Sequence, residues 1–224
     1  MSFGRKVLEF YRGLNFSEEG MPDKIEVMLP MKDREIRQFN ELFYNKYYND
    51  NEKRIFLIGI NPGRFGGGIT GIPFTDPIHL EEVLKIRNTL PKRYELSSKF
   101  IYSVVKEIGG PDIFFSKCYM TAVSPLGFML KGKNINYYDN KNLLEKFENK
   151  FVDLLKQQIS FGANTEVAFS LGRGKNFDFL QKVNKQYQIF RRILALPHPR
   201  WVMQYRYPAR KEFVALYVNQ LNKF

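Results

Sequence analysis

Apolar residues along the chain follow two alternating patterns, short continuous runs and longer stripes at helical spacing. Four runs are bounded by glycine or proline and have the length of buried parallel strands, at residues 54–60, 119–124, 166–171 and 192–196. Stripes spaced by three and four residues predict amphipathic helices, at residues 7–14, 36–47, 100–108, 143–159 and 213–221. The chain therefore alternates strands with helices.

This alternation predicts an α/β protein with three layers, α/β/α, in which helices cover both faces of a central, mostly parallel four-stranded sheet. No linker or internal repeat divides the sequence, so a single domain is expected over residues 1–224. Ligands of such sheets bind beyond the carboxyl ends of the strands. That rule directs attention to four segments, residues 61–77, 124–130, 172–176 and 197–207.

Composition excludes several classes of protein. The 21 Phe and 13 Tyr residues supply apolar material for a packed core and exclude a largely disordered chain. The single cysteine, Cys118, excludes a disulfide scaffold, and no apolar run approaches the ~20 residues of a membrane span. The first residues lack the long apolar stretch of a secretory signal. We therefore expect a cytoplasmic protein with no membrane association.

The formal net charge of the chain is +12, and most of it lies in one segment. Residues 172–211 contain ten basic residues and one acidic residue, interleaved with Tyr187, Trp201, Tyr205 and Tyr207. Basic side chains between aromatic ones suit a polyanion with stackable bases, so nucleic acid is the expected partner. A solvated basic face is the alternative interpretation of the charge alone.

The segment after the first strand is rich in glycine. Residues 59–71 read GINPGRFGGGITG and hold six of the 16 glycines, a density that lets a backbone approach a ligand closely. A phosphate-binding P-loop is excluded because the segment has no Gly-Lys-Ser/Thr, and the dinucleotide fingerprint is incomplete at residues 171–177. A nucleotide-binding α/β enzyme is therefore only a weak alternative.

The chain has two histidines, and their surroundings predict different roles. His79 follows Asp76 and Pro77 at an expected helix start, where a surface or capping role is expected. His198 stands between two prolines directly after the fourth strand and is expected to face the glycine-rich segment. No ligand set for a metal and no nucleophile elbow accompanies it. His198 is therefore expected to donate a hydrogen bond or to stabilise negative charge.

The glycine-rich segment resembles a known motif. Gly59-Ile-Asn-Pro-Gly-Arg-Phe-Gly66, followed by Thr70-Gly-Ile-Pro-Phe74, is similar to the first active-site motif of the uracil-DNA glycosylase superfamily. It looks most like the single-strand-selective monofunctional (SMUG) branch, and His198-Pro-Arg resembles the second motif of that family. The order and separation of the motifs agree with the family over roughly residues 55–205, and the resemblance implies a parallel sheet between helix layers.

The resemblance implies a role for each matching residue. Asn61 matches the asparagine that positions the hydrolytic water, and Gly63 matches the small residue that leaves room for that water and the flipped base. Phe74 matches the aromatic residue on which the base stacks. His198 matches the histidine that stabilises the departing base as an anion.

The basic segment then becomes the expected DNA-binding flank. The residues expected to enter the duplex and hold phosphates directly follow His198, where the family has its wedge loop: Arg200, Trp201, Tyr205 and Arg206. Lys175 and Asn176 stand at another expected helix start and are candidates for a phosphate contact.

Two positions depart from the family pattern. Ala122 stands where the SMUG branch has an asparagine that reads the edge of uracil. Ser124 or backbone groups are expected to substitute for that asparagine, and other deaminated bases such as hypoxanthine are further candidate substrates. The second motif lacks the usual Ser-Pro after His-Pro, so the wedge geometry is expected to differ.

We therefore expect a monofunctional DNA glycosylase that hydrolyses the N-glycosidic bond of deaminated bases, uracil and also hypoxanthine or xanthine, in base excision repair. DNA containing deaminated bases is the expected partner, with no metal or other cofactor, and the protein is expected to be a monomer. The motif positions hold no lysine, which favours hydrolysis over Schiff-base lyase chemistry. The alternative, motivated by Ala122, is a non-catalytic nucleic-acid-binding protein on the same fold.

Overall fold

A computed structural model describes residues 1–17 and 19–224. The strands of this part of the chain are β1 (Ile25–Met28), β2 (Arg54–Gly59), β3 (Cys118–Ala122), β4 (Gly127–Leu130), β5 (Lys133–Ile135), β6 (Ala163–Leu171) and β7 (Ile193–Leu196). The helices are α1 (Phe3–Gly13), α2 (Arg34–Tyr47), α3 (Gly67–Thr70), α4 (Pro77–Glu82), α5 (Leu96–Glu107), α6 (Pro111–Lys117), α7 (Lys141–Ile159), α8 (Lys175–Tyr187), α9 (Pro199–Tyr205) and α10 (Arg210–Leu221). Of these, no helix is long and apolar enough to cross a membrane.

Four parallel strands form the central sheet in the order β3-β2-β6-β7, with helices on both faces. The four predicted strands and the α/β/α architecture are thereby confirmed. All six residues of β2 are buried, as expected of a strand with neighbours on both sides and a helix layer on each face. The register pairs Gly59 with Ala122 and Leu171 with Leu196, so the carboxyl ends of the strands meet at one edge.

Aromatic contacts attach the helix layers to the sheet. The ring of Phe3 on α1 packs edge-on against Phe56 of β2 and Tyr119 of β3, at centroid distances of 6.3 and 5.0 Å. In α10, the Tyr217 hydroxyl donates to the carbonyl of Pro197 at 2.5 Å. This last bond fixes the backbone directly before His198.

A second, antiparallel sheet, β1-β4-β5, was not expected from the sequence. Its strands have only three or four residues, too few to show the alternation of apolar and polar positions that identifies a strand. Lys131 and Gly132 connect β4 to β5 with φ values of 51° and 69°. Positive φ at both positions is typical of the two-residue turn that joins hairpin strands.

The segment after His198 is also different from the expectation. Residues 199–205 form helix α9 where a wedge loop was expected, and Pro199 occupies its first turn. Proline suits that position because its fixed φ is helical and its missing N–H would have no partner there. The basic and aromatic residues of this segment are therefore presented on a helix.

Candidate active site

The carboxyl ends of the strands open into a cavity of about 310 Å³. Its lining brings together residues predicted from separate parts of the sequence: Asn61, Gly63, Phe74, His198, Arg200, Trp201 and Tyr205. Ala122 lines the same cavity. The topology accounts for this convergence, since each residue follows or ends a strand at the same sheet edge.

Asn61 is held in one orientation by β5 and the segment that follows it. Its Nδ2 donates to the carbonyl of Ile135 at 3.2 Å, and its Oδ1 accepts from the N–H of Tyr137 at 3.0 Å. These partners determine which end of the amide is oxygen. The second lone pair of Oδ1 is then available to a water molecule in the cavity.

The glycine-rich segment curls back on itself beside Asn61. The carbonyl of Gly63 accepts the N–H groups of Gly66 and Gly68, at 3.1 and 2.9 Å. A Cβ on Gly63 would lie 3.3 Å from Nδ2 of Asn134, and the Oδ1 of Asn134 accepts the N–H of Arg64. A side chain at position 63 would crowd this contact at the cavity wall.

Phe74 packs over the end of β2 in a backbone conformation that is rare for its residue type. Its φ is +56°, and a Cβ on Gly59 would lie only 2.6 Å from its ring. The turn is stabilised by Thr70, whose hydroxyl donates to the carbonyl of Thr75 at 2.7 Å and accepts the N–H of Ile72 at 3.2 Å. Strain at Phe74 is therefore compensated by buried hydrogen bonds on both sides of it.

Asp76 and His79 also stabilise this turn. Oδ1 of Asp76 accepts the N–H groups of Ile78 and His79 at the start of α4, and its Oδ2 accepts the N–H of Glu95. Burial raises the pKa of Asp76, but hydrogen bonds from His79 and Glu95 outweigh it and lower the pKa below its ordinary value. The His79 ring bonds Asp76 and stacks on Tyr102 at 4.5 Å. His79 is thus part of the support for the turn and does not line the cavity.

His198 caps helix α9 with its own ring. Its Nδ1 accepts the N–H of Arg200 at 3.1 Å, which places the ring proton of neutral histidine on Nε2. Burial and, to a smaller extent, the positive charge of Arg200 lower the pKa of His198 to about 4. The ring lies 6.4 Å from that of Phe74, centroid to centroid. His198 therefore offers a neutral N–H donor to a molecule in the cavity.

The structure does not bring Ser124 to the cavity, which corrects the expectation that it reads the base. Its hydroxyl donates to the carbonyl of Leu126 at 2.9 Å and accepts the N–H of the same residue at 3.2 Å. The neighbouring backbone groups are also engaged, because Gln158 donates to the carbonyl of Ala122 and the N–H of Val123 donates to Gly59. Neither Ser124 nor this backbone substitutes for the missing asparagine.

The side chains predicted to contact DNA lie beside the cavity, with one exception. Arg200, Trp201 and Tyr205 are exposed on α9, and the guanidinium of Arg206 lies 5.3 Å from the Trp201 ring. A second cavity of about 530 Å³ adjoins the first on the other side of His198, and exposed Lys175 lines it at the start of α8.

Asn176 is the exception. It is buried, and its Nδ2 donates to the carbonyl of Ile58 at 3.2 Å while its Oδ1 accepts from the Tyr137 hydroxyl. The side chain of Asn176 is therefore not available for the predicted phosphate contact.

Six polar residues of the cavity lining were missed in the sequence: Tyr11, Glu95, Ser97, Asn134, Asn136 and Gln204. Glu95 caps α5 by accepting the N–H of Ser98 at 2.9 Å. The asparagines belong to the hairpin and the segment after it, for which a glycine in a short turn between Leu130 and Lys133 was the available signal. No group of three His, Cys, Asp or Glu side chains among residues 1–17 and 19–224 is arranged to hold a metal ion.

A sequence model of the uracil DNA glycosylase superfamily matches residues 45–222. The chain belongs to this superfamily, and it is accordingly a DNA N-glycosylase. Within the superfamily it is SMUG-like: the crystal structure of wild-type SMUG2 from Pedobacter heparinus is similar, with a TM-score of 0.96 and 40% sequence identity. That match covers 100% of this chain and 98% of the other. The resemblance drawn from the motifs is confirmed, and the enzyme is favoured over both alternatives.

Proposed function

We propose that this enzyme releases uracil, hypoxanthine and xanthine from DNA by hydrolysis, as the first step of base excision repair. The observation that carries the breadth of this range is Ala122, a small apolar side chain in the cavity lining. An asparagine there would impose one donor and one acceptor on the base. Deamination gives uracil and hypoxanthine the same carbonyl beside a ring N–H, so a site without that constraint accepts either ring.

Phe74 receives the flipped base. Extrusion from the stack costs a few kcal/mol, and stacking on an aromatic ring returns about 1–3 kcal/mol per base. The Phe74 ring is held over Gly59 by the packing described above. Binding of the base therefore costs little conformational entropy in this side chain.

His198 stabilises the departing base. Breaking the N-glycosidic bond leaves negative charge on the base, and the Nε2–H of neutral His198 faces the cavity to donate to it. A preorganised donor of this kind contributes roughly 3 kcal/mol, or about 100-fold in rate. The lowered pKa keeps this donor neutral through the physiological range.

Asn61 orients the water that attacks the sugar. The sugar carries developing positive charge at this stage, so the water needs a fixed position more than a strong base. The free lone pair of Asn61 Oδ1 supplies that position, and Gly63 leaves room for the water beside the base. The proposal therefore needs no metal or organic cofactor.

The basic segment holds the strand around the flipped nucleotide. On this proposal Arg200, Trp201, Tyr205 and Arg206 contact DNA from α9, and Lys175 contacts a phosphate from the start of α8. The enzyme acts as a monomer in the cytoplasm.

Base release from oligonucleotides tests the proposal. Single- and double-stranded substrates with one uracil, hypoxanthine or xanthine are incubated with excess enzyme, and alkali then cleaves abasic sites. We expect strand breaks with all three bases, and Asn61→Ala and His198→Ala to be slower by more than tenfold with DNA affinity unchanged. Exposed Asn222→Ala, at the C-cap of α10, is the matched control and should keep the wild-type rate. Activity on uracil alone contradicts the proposed range, and full activity in either variant contradicts the assigned role.

A further inference from the structure

One buried polar side chain of the cavity lining comes from the N-terminal helix, α1. Tyr11 on α1 lines this cavity together with Ala122 and Pro125, and all three are buried. Residues of the N-terminal helix lie outside both motifs and outside the residues 45–222 that match the superfamily. The packing of α1 therefore places Tyr11 at the site, and no motif does.

Other polar side chains of the lining are bonded within the protein or are less buried than Tyr11. Asn61 is bonded to the small sheet, and Glu95 caps α5. Asn136 is half-buried beside Asn61, and Gln204 is exposed on α9. Tyr11 is thus the buried side chain with an uncommitted polar group in the same lining as Ala122.

The Tyr11 hydroxyl is free to serve a ligand. Burial raises its pKa, and no hydrogen bond from a described residue lowers it, so the hydroxyl keeps its proton. Tyr11 adds to the raised pKa that burial gives to Tyr44 and Tyr119, whose hydroxyls are buried without a partner among the described residues. Of these three tyrosines, Tyr11 is the one that lines the cavity, so its hydroxyl is the one that a polar ligand can satisfy.

We propose that Tyr11 is a specificity-determining residue that contacts the edge of the flipped base in place of the missing asparagine. This inference rests on the proposed function and names the group that reads the base. A hydroxyl rotates to donate to a carbonyl oxygen or to accept from a ring N–H, whereas an amide presents both in fixed positions. Tyr11 therefore recognises the polar edge of a deaminated base without requiring one ring size.

The test compares two tyrosine variants that each lose one buried hydroxyl. Tyr11→Phe removes the proposed contact and keeps the ring. Tyr47→Phe is the matched control, because the Tyr47 hydroxyl is also buried without a described partner but lines neither cavity. Single-turnover base release is measured for uracil, hypoxanthine and xanthine, together with thermal unfolding and affinity for DNA with a tetrahydrofuran abasic analogue.

We expect Tyr11→Phe to change the uracil-to-hypoxanthine rate ratio by about fivefold or more, the size of one lost hydrogen bond. Its unfolding and its affinity for the abasic analogue should match the wild type, because that DNA carries no base to contact. Tyr47→Phe should keep all three rates within about twofold. Unchanged ratios in Tyr11→Phe would overturn this inference alone. A wild type that releases none of the three bases would overturn the proposed function as well.

Discussion

The protonation state of His198 gives the most direct test of the site's chemistry. The His198 side chain is half-buried beside Arg200, and its pKa of about 4 means that the imidazole ring is neutral at physiological pH. We predict that the rate of base release has no inflection from His198 between pH 5.5 and 8. The perturbation is His198→Asn, which removes the Nε2–H donor. Asparagine is a strong helix N-cap, so it can still accept the N–H of Arg200.

The size of the effect follows from the environment of the ring. Lowering the pKa from 6.5 to about 4 corresponds to about 3 kcal/mol against protonation, and about one molecule in a thousand is protonated at pH 7. The pKa of His198 is lower in the folded protein than in the unfolded protein. Its contribution to the free energy of unfolding is therefore fully present above pH 6.5 and is lost as the pH falls towards 4. His198→Asn should be slower by about 100-fold at every pH. It should also lack the part of the acid destabilisation that His198 contributes.

Two measurements check these expectations. Single-turnover base release is followed from pH 5.5 to 8 for the wild type and for His198→Asn, and urea unfolding is followed over pH 4 to 7. A wild-type inflection near pH 6.5 that disappears in His198→Asn would refute the neutral donor and indicate a cationic histidine. A wild-type rate in His198→Asn would refute the contact with the departing base.

The remaining predictions concern the base platform, the base edge and the DNA flank. Gly59→Ala should displace the Phe74 ring and slow base release by at least tenfold, whereas Gly13→Ala, with open space around its Cβ, should not; equal rates in single-turnover assays would contradict the packing argument. Ala122→Asn should retain activity on uracil and lose about tenfold on hypoxanthine and xanthine; an unchanged ratio would show that position 122 does not face the base. Arg200→Ala should reduce the slope of log affinity against log salt by about 0.9 on duplex DNA, measured by fluorescence anisotropy, if it holds one phosphate; an unchanged slope would remove it from the interface.

Much of the site could be predicted because parallel strands end at the same edge of the sheet, so the residues that follow them lie close together. The apolar run of β2 identifies a strand, and Asn61 must then lie at its carboxyl end. The same reasoning places His198 after β7, so two residues 137 positions apart meet at one edge without any knowledge of their contacts.

The failures concern how individual polar groups are used. Ser124 and Asn176 are at the right edge of the sheet, but their side chains are satisfied within the protein. Local sequence does not show whether a polar atom already has a partner, because that partner can lie far along the chain, as Ile58 does for Asn176. Tyr11 was missed for a related reason, since a tyrosine on an apolar helix stripe looks like an ordinary core residue.

The hairpin that holds Asn61 has a consequence for local stability. Strand β5 has three residues and pairs on one side only, so the segment that carries Ile135 and Tyr137 can open at a lower free energy than the central sheet. Opening breaks both amide contacts of Asn61 while Phe74 and His198 stay in place. Heating should therefore abolish base release before the protein unfolds globally. Hydrogen exchange of the Tyr137 amide would report how often Asn61 is released from these contacts.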